Sequence, residues 1–196
     1  MAYNPRDHYF KKAKKENFAA RSVYKLEEID QKFKLLKTGQ IVLDLGASPG
    51  SWSQYCSKKV GEKGRVLGVD LSPITVKLPN AVFIEADLRD LNLEQVFIDH
   101  GFQPPFDLVV SDMAPKTTGI RMTDQARSME LCMLALEIAR KYLKPNGHFV
   151  AKLFHSDDFK ILKEEILKSF SKFEAVKPQS TRSISKEIFL VGINKK

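Results

Sequence analysis

The chain has 196 residues, and its 32 Lys and Arg against 24 Asp and Glu give a formal net charge of +8. Hydrophobic residues make up 43% and charged residues 29%, which indicates a globular chain rather than a disordered one. No run of about 18 apolar residues exists, which excludes a transmembrane helix, and the N-terminus lacks the apolar stretch of a secretory signal. The two cysteines favour a reducing cytoplasm over a disulfide framework. We therefore expect one cytoplasmic domain over residues 1–196, monomeric and without membrane attachment.

The positive charge lies at the two ends of the chain. Residues 1–25 contain seven bases and two acids, and residues 160–196 contain nine bases and four acids, so each end carries +5. Residues 26–159 contain 16 bases and 18 acids, a net charge of −2. Two basic ends around a slightly acidic centre are consistent with polyanion binding. Ordinary solvated lysines are an equally good explanation.

Short apolar runs alternate with amphipathic stretches along the chain. The predicted strands are 41–45, 65–70, 81–87, 106–112, 148–154, 173–178 and 187–193. The predicted helices lie within 21–33, 52–60, 92–99, 125–143 and 159–170. This alternation predicts an α/β fold with a mainly parallel seven-stranded sheet and helices on both faces. The last two strands have no helix between them, so we expect them to pair antiparallel at the end of the sheet.

Polar residues mark where several helices should begin or end. We expect Asn92, Asp124 and Asp157 to cap the helices that follow them. The turn signal Pro145-Asn146-Gly147 should end the helix over 125–143.

A Gly-rich turn follows the first predicted strand, in the sequence DLGASPGSW. The spacing is Gly46-x-x-x-Gly50 rather than the G-x-G-x-x-G of a dinucleotide fold, which disfavours an NAD oxidoreductase. Asp70 and Asp87 end the next two strands, where carboxylates could accept hydrogen bonds from ribose hydroxyls and from an adenine amino group. The three signals together predict a nucleoside site without a pyrophosphate, which suits S-adenosylmethionine. Trp52 could pack over this cofactor or be an aromatic residue of the core.

Four charged residues stand out as catalytic candidates: Lys25, Asp112, Lys152 and Glu187. Lys152 lies inside the apolar run FVAKLF, where a lysine is costly to bury without a partner. Asp112 follows the central strand, where active-site groups gather in open α/β sheets. No cluster of histidines or cysteines has metal-ligand spacing, so we predict no metal site.

With these residues in view, the chain resembles the FtsJ/RrmJ family of RNA ribose 2′-O-methyltransferases. The resemblance rests on ARSVYKLEEID, DLGASPGSWSQ, SDMAP, FVAKLF and SKEIFLV, which occur in the family's order. It implies a Rossmann-like methyltransferase fold and S-adenosylmethionine as the cofactor. It assigns the catalytic tetrad to Lys25, Asp112, Lys152 and Glu187, and the cofactor contacts to Gly50, Trp52, Asp70, Asp87 and Asp112. The family gives Lys152 the role of proton acceptor, but a charged Lys152 that only orients the hydroxyl is also chemically reasonable.

The same resemblance implies RNA as the partner, most simply a uridine of large-subunit ribosomal RNA. The basic, helical extension 1–37 would supply most of the contacts, with aromatic residues between its cations. The expected RNA-binding cations are Arg6, Lys11, Lys12, Lys14, Lys15, Arg21, Lys116, Arg121 and Arg182. Two alternatives stay open. The PGSW sequence and the opening RDHYFKKAK are similar to tRNA anticodon-loop methyltransferases, and an RNA-binding ribosome-assembly factor with incidental catalysis is a different class of function.

Overall fold

The computed structural model describes residues 8–156 and 159–196. Its strands are β1 (Ile41–Leu45), β2 (Arg65–Asp70), β3 (Ala81–Glu85), β4 (Phe106–Ser111), β5 (Leu143–Phe154), β6 (Phe170–Val176) and β7 (Glu187–Lys195). Its helices are α1 (His8–Lys15), α2 (Val23–Phe33), α3 (Ser51–Val60), α4 (Leu93–Asp99), α5 (Arg121–Tyr142) and α6 (Phe159–Ser169).

The strands form one sheet in the order β3-β2-β1-β4-β5-β7-β6. The first five run parallel, whereas β7 is antiparallel to both β5 and β6. The predicted fold class is therefore confirmed. The carboxyl ends of β1, β2, β4 and β5 meet at one edge of the sheet, called the carboxyl edge below, and β7 begins there.

Apolar side chains cover both faces of this sheet. One cluster joins α2 and α3 to strand residues such as Val42, Val110 and Val150. The other joins α4, α5 and α6 to residues of opposite parity, such as Leu43 and Val109. Because successive side chains of a strand point to opposite faces, each central strand is apolar on both sides, as a parallel sheet covered by helices requires.

One predicted helix cap is confirmed and one differs from the structure. Asn92 caps α4, because its side chain accepts the N–H of Gln95. Asp124 does not cap α5, which begins three residues earlier at Arg121. The Asp124 carboxylate instead accepts the N–H groups of Thr118 and Gly119, so it fixes the preceding loop. The predicted cap Asp157 lies outside the described residues.

The turn signal Pro145-Asn146-Gly147 lies in β5 rather than between α5 and a later strand. Helix α5 ends at Tyr142, and β5 begins at once with Leu143. The ladder is nevertheless irregular here, since Leu143 pairs with Phe106 and the next pairing, of His148, is with Leu108. Asn146 has a φ of 63°, so the turn residues form a bulge in a longer strand.

Candidate active site at the carboxyl edge

The turn after β1 brings bare backbone to the carboxyl edge. Gly46 and Gly50 have φ values of 78° and 108°, which glycine adopts without steric cost. A Cβ on Gly46 would lie 2.6 Å from Cγ of Met113, and one on Gly50 would collide with the side chain of Val76. Gly50 is also the N-cap of α3, so the unpaired N–H groups of the first helical turn are at this edge. In the turn predicted to bind the cofactor, the glycine backbone can therefore be approached closely by other groups.

Asp70 stands beside this turn at the end of β2, as predicted. Its Oδ2 accepts the N–H of Ser48 at 2.9 Å, and its Oδ1 accepts the N–H of Ser72 at 2.8 Å. These bonds orient the carboxylate toward the glycine turn. Each carboxylate oxygen can accept a further hydrogen bond, so ribose hydroxyls could still be bound.

Asp44, within β1, is a site residue that sequence analysis missed. The residue is fully buried; its Oδ2 accepts the hydroxyl of Ser53 at 2.6 Å, while its Oδ1 has no hydrogen-bond partner. Burial is the main cause that raises the pKa of Asp44 to about 7; the Ser53 hydrogen bond opposes this rise, and the negative charges of Asp112 and Asp70 add to it. Three aspartates on neighbouring strands thus make a negative region that suits a cationic ligand. The sequence signal was an acid inside a short buried strand.

Two predicted cofactor residues are engaged elsewhere. Trp52 is only 2% exposed; its ring packs on Phe189 and its indole N–H donates to the carbonyl of Ser22. Of the two alternatives for this ring, the structure favours an aromatic residue of the core, and the backbone of Trp52 follows the glycine turn. Asp87 lies two residues beyond β3, where Arg89 binds its carboxylate and lowers its pKa to about 2. An adenine amino group would have to share this carboxylate with Arg89.

Lys152 and Asp112 are in direct contact. Lys152 is 8% exposed, and its Nζ lies 3.0 Å from Oδ1 of Asp112. Oδ1 has no hydrogen-bond partner, and the hydrogen bond of Nζ goes to the backbone carbonyl of Asp112 at 2.5 Å. Asp112 therefore holds Lys152 at the end of the central strand, through its carboxylate charge and through its backbone carbonyl.

Lys25 and Glu187 form the second ion pair of the predicted tetrad. Nζ of Lys25 lies 2.5 Å from Oε1 of Glu187, with side chains 13% and 12% exposed. Lys25 also lies over the ring of Phe189, 5.8 Å from its centroid. Phe189 is directly opposite Lys152 in the ladder between β5 and β7, so the two ion pairs are neighbours.

Strand register explains why these distant residues meet. Lys152 is two residues from Val150 and Glu187 is two residues from Phe189, so both side chains are on the α2 and α3 face of the sheet. Phe154 pairs with Glu187, which places the start of β7 at the carboxyl edge. Helix α2 covers that face and presents Lys25. The period of two along β5 and β7 therefore brings the tetrad together.

A clamp that the sequence did not predict holds α2 to the segment before β7. The carboxylate of Glu28 accepts the N–H groups of Gln179 and Ser180, at 2.6 and 2.9 Å. Glu28 lies one helical turn from Lys25, on the same side of α2. The clamp therefore sets the separation between the helix that carries Lys25 and the strand that carries Glu187.

The predicted RNA-binding cations of the N-terminal segment fall into two groups. Lys11, Lys14 and Lys15 are exposed on α1. Lys12 lies over the ring of Tyr24, and Arg21 donates to the carbonyl of Ser180 at 2.5 Å. These last two cations therefore also contact the protein's own residues. Arg6 lies outside the described residues.

The aromatic residues between these cations mostly pack against one another within the fold. Tyr24 is 1% exposed and contacts the rings of Tyr9 and Phe18. These contacts dock α1 on α2 beside Lys25. Farther along the chain, Lys116 and Arg121 are exposed in and after the loop that follows β4, whereas Arg182 is half-buried.

In residues 8–156 and 159–196, no group of three or more His, Cys, Asp or Glu side chains could hold a metal ion. No helix in the same ranges is long and apolar enough to cross a membrane.

Known proteins share both the sequence and this fold. Ribosomal RNA large subunit methyltransferase E of Bdellovibrio bacteriovorus is 79% identical over all 196 residues and over its own full length. The enzyme of the same name from Syntrophobacter fumaroxidans is 48% identical over 98% of each chain. A crystal structure described as a Plasmodium falciparum ribosomal RNA methyltransferase matches 91% of this chain and 98% of its own, with a TM-score of 0.78 and 27% identity.

A more distant neighbour shares the fold alone. Aeropyrum pernix fibrillarin, whose structure contains S-adenosyl-L-methionine, matches 88% of this chain and 76% of its own with a TM-score of 0.62 and 16% identity. The model of the FtsJ-like methyltransferases matches residues 18–195, which include the glycine turn and all four tetrad positions. The methyltransferase fold, the predicted methyl donor and the sequence motifs therefore agree, and this chain belongs to the FtsJ-like methyltransferase family.

Proposed function

We propose that this methyltransferase transfers a methyl group from S-adenosylmethionine to a ribose 2′-hydroxyl of large-subunit ribosomal RNA, at a uridine. The observation that carries the proposal is Lys152, a strand lysine held by Asp112 at the central strand end, next to the glycine turn. The names of the relatives at 79% and 48% identity support ribosomal RNA as the substrate.

The residues present fit the cofactor. Gly46 and Gly50 let the turn after β1 adopt its left-handed backbone at the carboxyl edge, and Asp70 offers a carboxylate of the kind that binds ribose hydroxyls. The negative region of Asp44, Asp70 and Asp112 suits a positively charged sulfonium. When bound, S-adenosylmethionine supplies an activated methyl group whose sulfur leaves as a neutral thioether.

The protein's own part is to position the hydroxyl and accept its proton. In this proposal Nζ of Lys152 would accept the proton that the 2′-hydroxyl loses when its oxygen receives the methyl group. Asp112 fixes the position of Nζ, and the Lys25–Glu187 ion pair forms the neighbouring side of the site. Alignment of this kind supplies much of the rate in a displacement whose leaving group is already good.

A reconstituted reaction tests this assignment. Large ribosomal subunits from cells without the gene are incubated with the purified chain and labelled S-adenosylmethionine, and the wild-type chain should label the RNA. Lys152→Ala should abolish turnover while leaving the affinity for S-adenosylmethionine within about twofold of wild type. Active Lys152→Arg with a flat profile of kcat between pH 6 and pH 9 would contradict the proton-acceptor role. Unmodified tRNA serves as the competing substrate, and preferential labelling of tRNA would overturn the ribosomal target.

The exposed lysines of α1 are the proposed RNA contacts of the basic extension. Lys11, Lys14 and Lys15 lie on the outer side of a helix that docks beside Lys25 through Tyr9 and Tyr24. Phosphates of the RNA would meet these cations as the target ribose approaches Lys152. Because one chain supplies the whole tetrad, we propose that it acts as a monomer, in the cytoplasm where ribosomal subunits are assembled.

A further inference from the structure

Three large aliphatic side chains are exposed around the proposed site. Ile120 is 63% exposed, Met122 is 81% exposed and Ile184 is 68% exposed. We call these three residues the apolar rim. Ile120 and Met122 lie at the start of α5, just after the loop that follows β4, and Ile184 lies in the segment before β7. Both segments are at the carboxyl edge of the sheet.

Hydrogen bonds tie these segments together through the backbone of His155. The N–H of His155 donates to the carbonyl of Lys186, two residues after Ile184. The carbonyl of His155 accepts the side-chain amide of Gln125, three residues after Met122, at 2.6 Å. The start of α5, the end of β5 and the segment before β7 therefore form one connected surface.

This surface borders the catalytic lysine. The N–H of Phe154 donates to the hydroxyl of Ser128 on α5 at 3.0 Å, which holds the first turns of α5 against the end of β5. Lys152 is two residues before Phe154, and Glu187 pairs with Phe154. The apolar rim therefore lies at the same edge of the sheet as the tetrad.

The charges beside the apolar rim favour a polyanion over a protein of mixed charge. Residues 113–123 and 177–186 contain five bases and no acid. Lys116, Arg121 and Lys186 are exposed among them. Apolar side chains next to exposed cations match a nucleic acid, which offers base faces between phosphates.

The burial of Lys152 adds a geometric demand. Its side chain is 8% exposed, so the oxygen that loses its proton must enter the site. A-form RNA displays its 2′-hydroxyls in a shallow minor groove, so a ribose reaches an enclosed group more readily when its nucleotide leaves the stack. Apolar side chains that insert beside unstacked bases lower the cost of such a displacement.

We propose that Ile120, Met122 and Ile184 contact the nucleobases that flank the target, and so hold the target nucleotide out of the RNA stack with its ribose at Lys152. This rests on the proposed RNA methyltransferase function. It makes the apolar rim a substrate-positioning surface specific for structured RNA.

The test compares Ile120→Ser/Met122→Ser with a matched variant, Ile98→Ser. Ile98 is also aliphatic and is 73% exposed, but it lies at the end of α4, near the beginning of β2 and away from the carboxyl edge. Substrates are large ribosomal subunits, a protein-free RNA hairpin that contains the methylated nucleotide, and a single-stranded oligonucleotide of the same sequence. A 2-aminopurine base beside the target reports unstacking.

The rim variant should lower kcat/KM on the hairpin and on the subunits by about 10- to 100-fold, the loss expected when base contacts of this kind are removed. Its loss on the single strand should be smaller, its 2-aminopurine signal should disappear, and its affinity for S-adenosylmethionine should stay within about twofold of wild type. Ile98→Ser should match wild type throughout.

Three outcomes would overturn the proposal: a rim variant that behaves like Ile98→Ser, an equal loss on the hairpin and the single strand, or a loss on subunits alone, which would indicate a ribosomal protein as the partner. Failure of the proposed function would be distinct, because wild type itself would then label none of the RNAs.

Discussion

Nζ of Lys25 lies 2.5 Å from Oε1 of Glu187, although one residue is on the second helix and the other begins the last strand. The contact joins the basic N-terminal segment to the basic C-terminal segment, the two parts of the chain that carry +5 each. It also closes the site, since Phe189, packed under Lys25, is opposite Lys152 in the sheet.

A double-mutant cycle on this pair should separate stability from catalysis. Lys25→Met or Glu187→Gln alone should lower the free energy of unfolding by about 1 to 3 kcal/mol, because each leaves a largely buried group without its partner. The double variant should regain part of that stability. It should not regain kcat for methyl transfer, because the wall beside Lys152 has lost its charged groups.

Denaturant unfolding and kcat, measured on all four members of the cycle, check this prediction. A double variant that recovers stability and turnover together would mean that the pair is only structural.

The Glu28 clamp should matter for turnover rather than for cofactor binding. Glu28→Ala removes both acceptors of the N–H groups of Gln179 and Ser180, which frees the segment before β7. We expect kcat to fall about tenfold or more, as misplacement of catalytic groups produces, and proteolysis within residues 177–186 to become faster. Glu62→Ala, at an exposed acid near the other edge of the sheet, is the control. Equal proteolysis of the two variants would contradict the clamp.

Asp44 should make stability depend on pH. Its folded pKa of about 7 lies above the ordinary 3.8, so between these values the unfolded state is ionised while the folded state keeps its proton. Stability should therefore fall as pH rises from about 4 to about 7, by up to about 4 kcal/mol, and level off above pH 7. Asp44→Asn should remove this fall. Urea unfolding of both proteins at pH 5, 6, 7 and 8 measures this pH dependence of stability. The same dependence in both proteins would contradict the assignment of the fall to Asp44.

The affinity for S-adenosylmethionine should rise with pH, whereas the stability of the protein falls. A cation bound near Asp44 favours its ionised form, so binding below pH 7 has to displace a proton. The dissociation constant for S-adenosylmethionine should fall as pH rises from 6 to 8. Calorimetry on wild type and Asp44→Asn separates this effect from titration of the ligand itself, which both proteins share. An identical pH dependence in the two proteins would exclude Asp44 as its source.

The lysines of α1 should control the salt dependence of RNA binding. Reversing Lys11, Lys14 and Lys15 to Glu should weaken binding uniformly across sequences and reduce the slope of log K against log salt concentration by about 2 to 3. The control reverses Lys34, Lys58 and Lys63, which are also exposed. RNA binding measured between 50 and 300 mM salt checks the slopes. Equal slopes for the two triple variants would place the RNA elsewhere.

The sequence predicts the sheet because its strands are short apolar runs that end in functional residues. Burial cost singles out the lysine inside FVAKLF, whereas the assignment of all four residues to a catalytic tetrad comes from the family resemblance. Helix α5 begins earlier than predicted because Asp124 folds back onto Thr118 and Gly119 instead of capping. Both arrangements use the same residue type, so local sequence does not separate them.

The missed contacts share one physical cause. Glu28 and Ser180 meet through a side-chain carboxylate and backbone N–H groups, which leave no periodic pattern in the sequence.

Trp52 has two interpretations in the sequence, because a cofactor-binding aromatic and a core aromatic after a Gly-rich turn have the same local sequence. Tertiary packing against Phe189 decides between them.

Mapping of 2′-O-methyl groups in ribosomal RNA tests the central claim most directly. Cells without the gene are complemented with wild type or with Lys152→Ala, and nucleosides of the large-subunit RNA are located by mass spectrometry after nuclease digestion. We predict that one 2′-O-methyluridine is missing without the gene, returns with wild type and stays missing with Lys152→Ala. Unchanged methylation without the gene, or its return with Lys152→Ala, would contradict the account.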